Sequence, residues 1–285
     1  MRNITKIINK IKSLYNSSWD SPRSTTKLNI LTTFSTFKPH GNQDYKTFVP
    51  LVVKNINETI PAISKIAELN SQNEIITYSQ FYKNNLNNNS KDILGELEKN
   101  FNKRGSDKVA NNYHFIYSCI FSQLNADYKI LEVGLGTNNP KFISSMGVNG
   151  KPGASIKAFR DTFSKAFVYG ADVDEKILFE EERIRTFYVD QTNFSSFDNI
   201  TQEVNEKFDL IIDDGLHYQL SNLNTLIFAL SNLSNGGYLV IEDIGIWTID
   251  TWKIVNKLLP NDFESTIVEM TGDNFIFVVK KTNYL

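Results

Sequence analysis

The sequence predicts an α/β fold: an open, mainly parallel sheet covered by helices on both faces, finished by an antiparallel hairpin and preceded by a mainly helical extension. Three observations carry that expectation. From about residue 106, helical segments alternate with short runs rich in β-branched and aromatic residues, as expected for strands buried on both faces. The run "KILEVGLGTNNP" (129–140) sets glycines directly behind an apolar strand. Near the C-terminus "STIVEM" and "NFIFVVKK" are separated only by "TGD", which reads as a hairpin.

Taken in chain order, residues 1–105 show helical patches such as "ETIPAISKIAELN", interrupted by polar stretches, with "YKNNLNNNSKD" expected as an exposed loop. At the start, Ile4, Ile7, Ile8, Ile11 and Leu14 fall at helical spacing among Arg2, Lys6, Lys10 and Lys12. Such a stripe packs on the protein body, on a second subunit of a homo-oligomer, or on a membrane surface. Residues 106–285 form the expected sheet domain. Strands are expected near 129–133, 167–172, 185–189, 208–213 and 237–242, followed by the two hairpin strands, seven in all.

Composition narrows the class further. A chain of 285 residues with 41% hydrophobic content buries a full core. Thirty basic and 32 acidic residues, net charge −2, offer no global attraction to nucleic acid or anionic membrane. No apolar run approaches the length of a membrane span, so a cytoplasmic protein is expected. Cys119, the only cysteine, cannot form an internal disulfide; within "YHFIYSCIF" it reads as a small buried hydrophobe.

The acids at the strand ends carry the chemistry. In the glycine turn, Glu132 precedes Gly134 and Gly136, which let a backbone approach a ligand closely. Asn139 stands where a dinucleotide fingerprint needs a further glycine, and no phosphate-binding lysine follows. A cofactor without a pyrophosphate is therefore expected. Asp172 ends the next strand and can accept from both hydroxyls of a ribose; Asp190, with Gln191 beside it, follows at the next strand end, where it can accept from an adenine amino group. Each acid alone is an ordinary loop or cap residue, but their succession along the carboxyl edge of a sheet points to a ligand.

On these residues the chain resembles the class I S-adenosylmethionine-dependent methyltransferases, over about residues 106–285. The resemblance implies a Rossmann-like seven-stranded sheet and S-adenosylmethionine as methyl donor. More narrowly, "DDGLH" (213–217) followed by "GGYLVIEDI" resembles the metal-dependent sugar O-methyltransferases of macrolide tailoring and surface-polysaccharide modification, a branch related to cephalosporin hydroxylase-like proteins. "GSDKVANNYHFIY" and "GKPGASIKAFRDTF" match that branch's segments around the first strand. By position, the resemblance implies Asp214, Glu242 and Asp243 as ligands of a divalent ion and His217 as the base. Asp213 is placed nearer the sulfonium, and Lys108 lining the site.

The residues support the metal independently. Strands four and five neighbour one another in such a sheet, so "LIIDD" and "LVIED" bring four carboxylates together; like charges repel, and a hard cation offsets them. Oxygen ligands favour Mg²⁺, or Mn²⁺ or Ca²⁺, over zinc. His217 otherwise reads as a helix-start residue, and Glu242 and Asp243 as caps of the next helix. The expected activity is methyl transfer to a sugar hydroxyl of a small-molecule or glycan acceptor. A phosphorylated or phosphoramidate acceptor and a cofactor-binding scaffold are the alternatives. A nicotinamide oxidoreductase is disfavoured by Asn139.

Overall fold

A computed structural model describes residues 45–68, 75–124 and 127–282. The N-terminal stripe lies outside the described residues. The chain divides into two compact units, Met1–Lys65 and Ile66–Leu285. The division falls well before the boundary expected at 105/106, because the helices of residues 78–104 pack with the sheet rather than apart from it.

In the first unit the described residues lie in α1 (Tyr45–Glu68), which contains most of the helical patch anticipated there. The second unit is built on a nine-stranded sheet. Its strands are β1 (Ile76–Thr77), β2 (Lys129–Val133), β3 (Phe167–Asp172), β4 (Glu180–Glu181), β5 (Ile184–Tyr188), β6 (Phe208–Asp213), β7 (Leu233–Gly245), β8 (Phe263–Glu269) and β9 (Asn274–Lys281). The order across the sheet is β1-β8-β9-β7-β6-β2-β3-β5-β4. The seven expected strands are all present; β1 and β4, two residues each, extend the two edges. Among the seven, β9 alone runs against its neighbours β7 and β8.

Helices α2 (Tyr78–Asn85), α3 (Ser90–Arg104), α4 (Tyr113–Phe121), α5 (Ala154–Thr162), α6 (Asp198–Glu203), α7 (Gln219–Asn232) and α8 (Ile249–Leu258) complete the unit. The asparagine-rich stretch is mostly helical: only residues 86–89 separate α2 from α3. Asn87 and Ser90 tie that turn together, the Ser90 backbone N–H donating to Asn87 Oδ1 at 3.1 Å.

Strand side chains alternate between two cores. Ile130, Leu210, Ile212, Val240 and Val278 join Phe101, Tyr117, Phe121 and Phe159 on one face. Leu131, Val133, Ile211, Leu239, Ile241 and Phe277 join Leu226, Phe228 and Trp252 on the other. The two-residue period of a strand then decides where each acid goes. Glu132 and Glu242 share a face with Ile130 and Val240, toward α4. Asp213 shares a face with Ile211, toward α7. Cys119 is wholly buried, and burial pushes its thiol up to about 11, as befits a packing residue.

Candidate active site at the carboxyl edge of the sheet

Lys108 is the hub of the face toward α4. The chain leaves α3 at Gly105, whose N–H is taken by the Phe101 and Asn102 carbonyls, and the turn that follows brings Lys108 beneath the sheet edge. Its side chain is 1% exposed, with Nζ 3.1 Å from Glu132 Oε1, 2.8 Å from Asp214 Oδ2 and 2.7 Å from Glu242 Oε2. Burial disfavours its charge, but Asp214, Glu132 and Glu242 together outweigh that and hold its pKa well above the ordinary lysine value. Burial raises the carboxyls of Glu132 and Glu242, with Lys108 opposing in each case. The Tyr117 hydroxyl donates to Glu242 Oε1, and the Ser155 hydroxyl donates to Glu132 Oε2.

On the other face Asp213 is fully buried. Its Oδ1 accepts from Gln191 Nε2 at 2.8 Å, and burial pushes its carboxyl upward. Gln191 also donates to Thr225 Oγ1 at 3.0 Å and accepts from the Leu216 N–H at 2.9 Å. Its amide therefore stitches the end of β5 to the loop after β6 and to α7.

Asp214 and Asp243 come out at the edge itself. β7 departs from its regular pairing with β9 between Ile241 and Ile244, and within that bulge Asp243 takes a left-handed conformation, φ 54°. The turn swings its carboxylate toward His217, also left-handed at φ 51°. His217 Nε2 lies 3.5 Å from Asp243 Oδ2, and Asn274 Nδ2 donates to Asp243 Oδ1 at 2.8 Å. Tyr113 donates its hydroxyl to the same Oδ1. Ligand atoms of Asp214, His217 and Asp243 all fall within 4.8 Å of one another.

Next to this cluster is a cavity of about 290 Å³, lined by Gly134, Gly136, Asp172, Asp190, Gln191 and Asp214 among others. The glycine turn and the loop after β6 meet here backbone to backbone. Gly134 has φ 101°, and a Cβ placed on it would fall 2.0 Å from the Asp214 carbonyl oxygen. Asp172 accepts from the Leu135 N–H at 2.8 Å and the Asp174 N–H at 2.9 Å, which fixes its carboxylate beside the turn. Burial pushes its pKa up against those bonds. Asp190 holds its own turn through the Thr192 N–H at 2.9 Å.

The strand order is that of the class I S-adenosylmethionine-dependent methyltransferases, with the seven central strands in the sequence β8-β9-β7-β6-β2-β3-β5. No protein-family model matches the chain. It is 30% identical over 125 residues to the mycinamicin VI 2''-O-methyltransferase of Micromonospora griseorubida, covering 44% of this chain and 28% of that protein. It is 30% identical over 161 residues to the 8-demethyl-8-(2-methoxy-alpha-L-rhamnosyl)-tetracenomycin-C 3'-O-methyltransferase of Streptomyces olivaceus, covering 54% and 37%. The solved MycE methyltransferase of mycinamycin biosynthesis, in complex with Mg and SAH, superposes with a TM-score of 0.52 at 20% identity over 66% of this chain and 55% of that one. The chain thus spans roughly a third of the length of these curated relatives.

The site expected from sequence is assembled only in part. Gly134, Gly136, Asp172, Asp190, Gln191 and Asp214 share one cavity. Glu132, Lys108 and Asp213 do not line it; they are buried behind it, bonded to protein groups. Glu242, expected among the metal ligands, is absent from the cluster at the edge: strand alternation points it inward to Lys108 and Tyr117, while His217 takes the third corner. Sequence reading assigned nothing to Tyr117 and Asn274, although the i, i+4 spacing of Tyr113 and Tyr117 puts both on one face of α4.

Proposed function

We propose that this chain transfers the methyl group of S-adenosylmethionine to a hydroxyl of a sugar, on a glycosylated small molecule or a surface polysaccharide. One observation carries the reading: Asp214 belongs both to the cavity lined by the glycine turn and to the cluster with His217 and Asp243. A methyl donor in the first and an acceptor at the second would meet at that residue. The names of the sequence relatives, sugar O-methyltransferases, support the acceptor class.

The donor set suits a hard divalent ion such as Mg²⁺. Three carboxylates, Glu132, Asp214 and Glu242, face the single Lys108 ammonium, Asp243 stands beside His217, and negative charge is left over at the edge on Asp214 and Asp243. These two would hold the ion. When bound, the sulfonium would supply an electrophilic methyl group and the ion would stabilise negative charge developing on the acceptor oxygen.

The chain's own residues do the rest. Asp172 and Asp190, both lining the cavity, would accept from the ribose and adenine of the donor. His217 is the base. A sugar hydroxyl is a far weaker acid than an imidazolium, so His217 takes the proton only as the carbon–oxygen bond forms. Asp243 then stabilises the imidazolium it faces, and Lys108 holds the Asp214 carboxylate in place.

Calorimetry of S-adenosylhomocysteine with and without Mg²⁺, followed by transfer of labelled methyl to methyl glycosides, tests the proposal. Binding of the cofactor product and metal-stimulated transfer are expected. Full turnover in excess chelator would remove the ion, and failure to bind S-adenosylhomocysteine would remove the activity.

A further inference from the structure

The segment after Asp243 carries two tryptophans with opposite fates. Trp252, in α8, is 1% exposed and packs on Phe277 with ring centroids 5.0 Å apart. Trp247, five positions earlier, is 85% exposed. Leaving an indole in water forfeits one of the largest apolar burials a side chain can make. The exposure is built in rather than loose. A Cβ placed on Gly245 would sit 2.4 Å from Trp247 Cζ2 and 2.5 Å from Cε2, so the indole lies directly on the Gly245 backbone. The Thr248 hydroxyl closes the turn by donating to the Gly245 carbonyl at 3.0 Å.

Two pins hold the stretch of chain that carries this indole. The His217 and Asp243 side chains face each other at 3.5 Å, and Gln219 Nε2 donates to Thr251 Oγ1. The stretches 217–219 and 243–251 are therefore held side by side at both pins, and Trp247 lies between the pins on the second stretch. Tyr218, 56% exposed, lies between them on the first.

Resting on the proposed sugar methylation, we infer that Trp247 is the platform on which the acceptor's sugar ring stacks, presenting a hydroxyl to His217. A hexopyranose carries its C–H bonds on a face that is apolar while its hydroxyls radiate from the rim. An immobilised aromatic ring takes that face and leaves the rim free for polar partners. An indole on the stretch pinned to that of the base matches that division: the ring face selects a sugar, and His217 with Asp214 and Asp243 addresses the hydroxyl.

The test uses the full chain saturated with S-adenosylhomocysteine and a panel of methyl glycopyranosides, including methyl α-L-rhamnopyranoside. Binding is followed by tryptophan fluorescence and saturation-transfer NMR, and turnover by methyl transfer from S-adenosylmethionine. Trp247→Ala is expected to raise KM for the glycoside at least about ten-fold while kcat changes less than about three-fold and S-adenosylhomocysteine affinity is retained. Trp247→Phe should recover part of the loss. Gly245→Ala, which keeps the indole but pushes it off its seat, should raise KM in the same direction. Glycoside binding unchanged in Trp247→Ala overturns the platform and leaves the methylation reading standing. A fall in oligomeric mass in that variant, with glycoside binding intact, assigns the indole to a second copy and likewise overturns it. If no glycoside binds the unaltered protein, the sugar acceptor falls and the platform with it.

Discussion

His217 Nε2 and Asp243 Oδ2 face each other across 3.5 Å, and both residues hold the left-handed backbone conformation that side chains with a Cβ rarely adopt. Each such conformation costs on the order of 1–3 kcal/mol and persists where surrounding structure enforces it, most often at a working site. Here the Asp243 bulge and the turn after Gly215 aim the two groups at one point. Replacing His217 with asparagine, which tolerates that conformation, separates chemistry from strain. His217→Asn is expected to lower kcat by about 10²–10⁴-fold and leave S-adenosylhomocysteine affinity essentially unchanged, as read by steady-state kinetics and calorimetry. An unimpaired kcat in that variant excludes His217 as the base.

Among the described residues Lys108 is the one cation paired with Glu132, Asp214 and Glu242, and both glutamates are buried with it. Removing one partner of a buried ionic cluster leaves charge without compensation, at a cost of about 3–5 kcal/mol. Lys108→Met should therefore lower the urea midpoint strongly. Adding Glu242→Gln to it should restore part of the loss, because one stranded carboxylate is gone. Strictly additive effects of the two substitutions would show that the bridge contributes nothing in solution.

The strand ends were legible in the sequence because apolar runs, glycines and acids coincide there: β2, β3, β6 and the edge acids fall where periodicity puts them. Glu242 faces Lys108 and Tyr117 rather than the cluster at the edge. Adjacent acids in "LVIED" read as one pair of ligands, yet the two-residue period sends Glu242 to the face of Val240 and leaves Asp243 to the bulge. That bulge is a tertiary feature of the pairing of β7 with β9, with no local sequence signature. Gln191 lines the cavity and also has a structural part that its neighbours in sequence do not announce. Its position beside Asp190 suggested a ligand contact, while its amide is consumed by Asp213, Thr225 and Leu216, none of them near it in sequence. The shortness of the loop between α2 and α3 escaped notice because asparagines at both helix ends look the same as asparagines in a long loop.

Gly134 joins the glycine turn to the loop that carries Asp214. The atoms a Cβ would strike belong to the Asp214 and Gly215 backbones, so no rotamer change relieves the clash, and φ of 101° is itself unfavourable for any other residue. Gly134→Ala is expected to push the two loops apart, lowering stability by roughly 2–4 kcal/mol and abolishing measurable S-adenosylhomocysteine binding. Thermal denaturation and calorimetry read the two effects. Retained affinity in this variant would show that the cavity does not depend on the contact.

Away from the site, Arg104 fastens α3 to α5 through Asp161: its Nε donates to Asp161 Oδ2 at 2.7 Å, and Arg160 Nε donates to Oδ1 at 3.0 Å. Partial burial pushes the Asp161 carboxyl up, but the two guanidinium groups outweigh it and bring its pKa below the usual 3.8. A carboxylate depressed in the folded state binds its proton more readily when unfolded, so its stabilisation is complete above the unfolded value and is lost as pH falls through the folded one. Asp161→Asn should thus be less stable than the unaltered chain by about 1–2 kcal/mol at neutral pH. The difference should hold constant down to about pH 5 and close below about pH 4, as followed by urea denaturation across that range. A gap that persists unchanged at pH 2 would mean that packing of the Asp161 side chain, and not its charge, joins the two helices.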